Sequence, residues 1–169
     1  MSTTPPDQDA GPRAVSGRED IAEARLQLLT AARYKLSIYL PSLPADIYNS
    51  LAELAELRRI ATSGRGAEIR VLLGDPANVL REGHRLIDLA QRLPSALQIR
   101  VPSDDQVENR TTSAWLINDT YGYLFLPDAD RVEGRAAMHD GPGLAPLLLQ
   151  FDQMWERAVP ATQLQPLGL

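Results

Sequence analysis

The stretch that most constrains this chain runs from 110 to 126, R-T-T-S-A-W-L-I-N-D-T-Y-G-Y-L-F-L. Two short apolar runs, 113–118 and 121–126, flank the polar pair Asp119-Thr120, which is the pattern of two strands joined by a tight turn. Strict alternation places Trp115 and Ile117 on one face and Thr112, Ala114 and Leu116 on the other. A hairpin with both faces apolar must lie inside a sheet that is covered on both sides. An Asp at such a turn has two readings: a residue that hydrogen-bonds its own turn, or a carboxylate exposed at a sheet edge for chemistry.

The other segments supply the covering layers. Ser16-Gly17-Arg18-Glu19 has the form of a capping box, opening a helix to about residue 33 with Ile21, Ala24, Leu28 and Ala32 as its buried stripe. Lys35 to Leu40 alternates as a strand, and Pro41 and Pro44 stop it. A second helix is predicted over about 47–62, burying Leu51, Leu54, Ala55 and Ala61, before the apolar strand 68–73. A third helix over about 80–93 and a strand over 97–101 repeat the pattern, and a segment near 135–138 is a further strand candidate. Asp140-Gly141-Pro142 opens the last helix, where Leu144, Leu147, Leu148, Phe151, Trp155 and Ala158 recur at three- and four-residue spacing. Two strand–helix–strand crossovers with short loops predict an α/β fold, a three-layer α/β/α sandwich on a mixed, mainly parallel sheet. One domain over 16–159 is expected. Residues 1–15, rich in Pro, Gly and polar side chains, read as a disordered tail, and 160–169 as a second tail.

Composition excludes several chemistries. The 169 residues contain no cysteine, so thiolate nucleophiles, thiolate metal sites and disulfides are absent. No run reaches the length of a membrane span and no apolar leader stands at the N-terminus, so the expected location is the cytoplasm. Acidic residues outnumber basic ones 22 to 17, for a net charge of −5, which argues against a nucleic-acid partner. Neither a glycine-rich phosphate loop nor a serine nucleophile elbow occurs.

The helix entering K-L-S-I-Y-L-P, the stretch A-T-S-G-R-G-A-E-I-R-V-L-L, the hairpin with Asp119 and the closing F-D-Q-M-W-E-R-A helix together resemble one half of the phospholipase D superfamily, over about residues 18–158. In that family a His-x-Lys-x-x-x-x-Asp motif supplies a histidine that attacks phosphorus and a lysine that holds the phosphate oxygens. If Asp119 is the motif's Asp, the histidine position falls on Thr112 and the lysine position on Ala114. A threonine without a base beside it and an alanine cannot perform those roles. The sole lysine, Lys35, follows Arg33 by two residues, so no His-x-Lys exists anywhere in the chain. The resemblance therefore implies the fold without the phosphodiesterase, and a two-fold homodimer of half-domains.

The expected role is a non-catalytic module that binds a protein partner or a small anionic ligand, with no cofactor and no metal. Its candidate pocket comprises Asp46, Tyr48, Arg110, Thr112 and Asp119, Arg110 offering a planar donor fork to an anion. Alternatives are other chemistry at the strand edge around Asp119, or a nucleic-acid-binding module. His84 with Asp88 four residues on could poise a base, though a surface helix pair is the plainer reading. Asp140 is expected to cap the last helix, and Trp155 to pack in the core; Trp115 could instead anchor a partner from an outer face.

Overall fold

The computed structural model describes residues 11–105 and 111–164. Among these residues eight strands form one sheet: β1 (Arg13–Ser16), β2 (Lys35–Leu40), β3 (Glu68–Leu73), β4 (Leu97–Pro102), β5 (Ala114–Asn118), β6 (Tyr123–Leu126), β7 (Glu133–Ala137) and β8 (Ala158–Pro160). Among the described residues the α-helices are α1 (Arg18–Ala31), α2 (Leu51–Ala61), α3 (Ala77–Glu82), α4 (Arg85–Arg92) and α5 (Gly141–Arg157), and a 3-10 turn covers Thr162–Leu164. The strand order is β1-β7-β6-β5-β2-β3-β4-β8.

The two crossovers make β2, β3 and β4 parallel neighbours, with Ile38 opposite Val71 and Val71 opposite Ile99. Every other pairing among the described residues is antiparallel. The sheet is thus mixed but mainly antiparallel, which corrects the expectation of a mainly parallel one. The parallel core is only three strands wide; a meander β5-β6-β7 extends one side, and the chain ends add β1 and β8 as edges.

Alternation along each strand assigns side chains to the two faces as expected. Leu36, Ile38, Leu40, Ala114 and Leu116 face the layer formed by α1, α2 and α4, in a core with Leu28, Leu57, Ile60 and Leu86. Tyr39, Trp115, Ile117 and Tyr123 face α5, in a core with Leu144, Leu147, Phe151 and Trp155. Trp115 is therefore core, 3% exposed, and not a partner anchor. Arginines knit α5 to the sheet: Arg70 of β3 lies 4.9 Å from the Phe151 ring and Arg100 of β4 lies 4.3 Å from the Trp155 ring. Arg70 also donates to Ser37 Oγ at 2.8 Å and lies 2.8 Å from Asp152 Oδ1, an ion contact rather than an aligned hydrogen bond.

Several boundaries differ from the sequence reading, each for a local reason. No side chain caps α1 as a capping box: Gly17 is its N-cap, and the Ser16 amide donates to Asp20 at 2.9 Å. The real capping box is Ser50-Leu51-Ala52-Glu53, where Ser50 Oγ accepts from the Glu53 amide and donates to Glu53 Oε1. It starts α2 later than expected and rotates its buried face onto Glu53, Leu57 and Ile60, leaving Leu51 and Ala55 exposed. The predicted third helix is two, broken at Gly83, whose positive φ of 73° suits a residue without a side chain. Parts of both predicted tails belong to the fold. Residues 1–10 and 165–169 lie outside the described residues, but Val15 is buried in β1 and Leu164 is buried beyond β8.

Candidate functional site

Residues proposed to share a pocket fall at two ends of the sheet. The pair Tyr39–Trp115 closes the β2–β5 ladder at one edge, and the Leu36–Asn118 pair closes it at the other. Thr112 and the loop carrying Asp46 and Tyr48 leave from the first edge. Asp119 leaves from the second, seven residues from Thr112 and so about 23 Å away along an extended strand. Arg110 lies outside the described residues.

At the Thr112 edge the hydroxyls are used by the protein itself. Trp115 Nε1 donates to Ser113 Oγ at 2.7 Å, Ser113 Oγ and Thr111 Oγ1 are 2.8 Å apart, and the Tyr39 hydroxyl donates to the Thr111 carbonyl at 3.2 Å. Thr112 is exposed, and its carbonyl accepts from the Ala129 amide. Ala114 is buried in the core beneath.

Asp46 is exposed, whereas Tyr48, whose φ of 54° is left-handed, is buried and belongs to a locked loop. Glu53 Oε2 accepts from the Tyr48 amide at 3.0 Å and from Arg25 Nε at 2.9 Å. The Arg25 guanidinium lies 5.2 Å from the Tyr48 ring. Burial pushes the Tyr48 phenol far above its ordinary range, so it stays protonated. His84 completes the lock. It is buried as the N-cap of α4: Nδ1 accepts from the Leu86 amide at 3.0 Å, and Nε2 lies 2.9 Å from the Ile47 carbonyl and 3.2 Å from that of Pro44. Two carbonyls at Nε2 require the proton there, so the ring is neutral, and burial lowers its pKa. The expected surface pair of His84 with Asp88 does not form; His84 instead holds the β2–α2 loop.

At the opposite edge, the hairpin tip caps α1. Asp119 Oδ1 accepts from the Arg33 amide at 2.8 Å and Oδ2 from the Tyr34 amide at 3.0 Å. Asn118 Nδ2 donates to the Leu28 carbonyl, Thr120 Oγ1 to that of Ala31, and Arg59 Nη2 to those of Leu29 and Ala32. These carbonyls belong to the last turn and C-cap of α1, where partners run short; those of Leu28 and Leu29 also accept the Ala32 amide. Asn118 Oδ1 also accepts from the Thr120 and Gly122 amides, folding the tip tightly. At Gly122 a Cβ would stand 2.6 Å from a Leu28 methyl, so any larger residue there must displace that buried side chain. A groove beside the tip, bordered by Lys35, Ser37, Arg70, Asp119, Asp152 and Glu156, has a volume of about 440 Å³, and Arg70 is already engaged within it. His139 packs edge-on against Tyr121, and Asp140 caps α5 as expected, accepting from the Gly143 amide at 3.1 Å and from the Tyr123 hydroxyl at 2.8 Å.

A cluster unnoticed in the sequence stands on the helical layer, where Arg58 of α2 and Arg85 and Arg92 of α4 border one cleft. The signal was present: 85, 88 and 92 share one helical face.

This mixed sheet between two helical layers is the phospholipase D-like fold. Solved structures similar to the chain include Nuc from Salmonella typhimurium, a phospholipase D family member (TM-score 0.60, 10% identity, covering 89% of this chain and 97% of that one). NucT from Helicobacter pylori is similar at TM-score 0.62 and 12% identity, covering 89% and 98%. TrmBL2, described as an archaeal chromatin protein with a novel mode of DNA binding, is similar at TM-score 0.64 and 18% identity. That likeness covers 95% of this chain but only 57% of TrmBL2. By sequence the chain belongs to the family described as a domain of unknown function (DUF7931), whose model matches residues 17–167. No curated protein sequence matches it. No helix among the described residues is long and apolar enough to cross a membrane.

Proposed function

We propose that this chain is a non-catalytic phospholipase D-like domain, a regulatory or scaffolding module that binds a partner or a small anionic ligand. The observation that carries the reading is the strand entry at Thr112 and Ala114. Where the fold family places a nucleophile and a phosphate-binding cation, this chain has an exposed hydroxyl and a buried methyl. The neighbouring hydroxyls of Thr111 and Ser113 are bonded to each other, and Ser113 also holds the Trp115 indole. Different chemistry centred on Asp119 has little support, because both carboxylate oxygens already accept backbone amides. Homodimerisation and a cytoplasmic setting belong to the same proposal.

The test is hydrolysis of bis(p-nitrophenyl) phosphate by the purified chain, with and without divalent cations. We expect no turnover above a heat-treated control. Turnover that disappears in Thr112→Ala or Asp119→Ala, with the fold intact, would overturn the reading.

A second reading, nucleic-acid binding, is favoured by the arginines on the α2–α4 cleft and by the likeness to a DNA-binding chromatin protein. The net charge of −5 weighs against it.

A further inference from the structure

The helical layer carries a feature that neither sheet edge explains. Helices α2 and α4 lie side by side, and a cleft of about 480 Å³ opens between them. Arg58 and Arg59 contribute from α2, Arg85 and Arg92 from α4, and Leu51 and Leu54 border the same cleft. Arg59 is committed, through Nε to Glu56 at 2.7 Å and through Nη2 to the carbonyls that end α1. Arg58, Arg85 and Arg92 are exposed, and none forms an ion pair with another described residue. Asp88 lies on the same wall between Arg85 and Arg92, so three uncommitted guanidiniums face one carboxylate. This positive surplus sits on a chain whose net charge is −5. Leu51 beside it is 78% exposed, in the first turn of α2, where the late start of that helix leaves it without cover.

We propose that this cleft docks an acidic, amphipathic peptide segment of a partner protein. Its carboxylates would pair with Arg58, Arg85 and Arg92, and an apolar side chain would cover Leu51 and Leu54. Arginine forks match carboxylates in pairs, and a groove between two helices accepts an anchored segment lying along it. The leucines favour a peptide over a nucleic acid, because a phosphate backbone brings nothing apolar to cover them. The net charge disfavours a long polyanion for the same reason it leaves a short acidic segment tolerable. The inference rests on the binding role proposed above, and names its partner class.

The experiment is fluorescence anisotropy of the full chain against a labelled synthetic peptide of repeated Glu-Leu-Glu-Glu units, titrated to about millimolar protein. Parallel arms use a peptide with serine for leucine, inorganic phosphate as competitor, and a short DNA duplex. The leucine peptide is expected to bind, and more weakly as salt rises. Combined Arg58→Glu, Arg85→Glu and Arg92→Glu substitutions should weaken it by at least about tenfold. Leu51→Ser should weaken it several-fold, and Arg131→Glu, outside the cleft, should not. All five positions are exposed, so unchanged thermal melting verifies the fold of each variant. No binding, equal binding of the serine peptide, full displacement by phosphate, or tighter binding of the duplex each overturns the assignment. An empty cleft leaves the hydrolysis test of the non-catalytic role standing, whereas phosphodiester turnover with the peptide bound overturns only that role.

Discussion

Asp119 illustrates how one carboxylate can carry two readings until its partners are known. Two backbone amides reach it from the α1–β2 turn, one to each oxygen, so its work is to hold that turn against the hairpin. Replacing it with alanine leaves both amides to find other acceptors, and Asp119→Ala is expected to lose about 1–3 kcal/mol of stability. Asp119→Asn keeps one acceptor oxygen and should lose less; urea denaturation of the two variants measures the difference. His84 is the second such residue. Its folded-state pKa is depressed by burial, so as pH falls the unfolded chain takes up the proton first. Stability from the neutral ring is therefore present above the ordinary histidine value of about 6.5 and is lost as pH falls below it, toward the depressed folded value. His84→Asn retains an N-cap side chain without a titrating ring. It should be less stable than the parent near pH ~7 yet change less between about pH 7 and about pH 5, as denaturant midpoints at the two pH values will show.

Among elements, the β2–α2 loop is the most heavily tied. Glu53 closes the capping box with Ser50, accepts the Tyr48 amide and pairs with Arg25, all while buried. Removing one member of a buried ion pair strands the other, which typically costs about 3–5 kcal/mol. Glu53→Ala is expected to fall in that range by equilibrium denaturation, with Glu53→Gln milder because it still accepts hydrogen bonds. The α5 layer depends on Arg70, which touches Phe151, Ser37 and Asp152 from the sheet. Arg70→Ala should destabilise by roughly 2 kcal/mol. The loss should appear first as changed tryptophan fluorescence, since Trp115 and Trp155 both lie between α5 and the sheet.

For the whole molecule, the fold ties one framework to two strand ends where Thr111, Ser113, Asn118, Asp119 and Thr120 are all spent on structure. The proposed two-fold homodimer is checked by light scattering of the purified chain, where we expect twice the mass of the chain. A single-chain mass across the accessible concentration range would sink it and leave the helical cleft as the docking surface to pursue. Chain ends also matter at this scale. Val15 of β1 is 1% exposed, and β1 covers the edge of β7. Deleting the chain through Ser16 is expected to lower the melting temperature and expose that edge to self-association, measured by static scattering during the melt.

What the sequence alone determined is what rests on periodicity. The α5 stripe of Leu144, Leu147, Phe151 and Trp155 is buried as its spacing predicts, and the hairpin's alternation sorts Trp115 and Ile117 from Ala114 and Leu116 onto opposite faces. Two crossovers and their short loops were enough for the three layers, because an apolar face has few ways to be covered. The absent His-x-Lys was legible for the same reason, being a statement about adjacent residues. Ser16-to-Glu19 and Ser50-to-Glu53 match the same local capping pattern, and only packing chooses the second. Tertiary structure alone decided the rest. Arg25 meets Glu53 across 28 residues of chain and Asn118 meets Leu28 across 90, distances over which no local pattern carries information. The same holds for how the pieces join into one sheet, with β5 beside β2, β1 beside β7 and β8 beside β4, and for the arginine cleft, which exists only once α2 and α4 lie side by side. Side-chain periodicity specifies which face of an element is buried; which partner a polar group finds there depends on the chain's path through space.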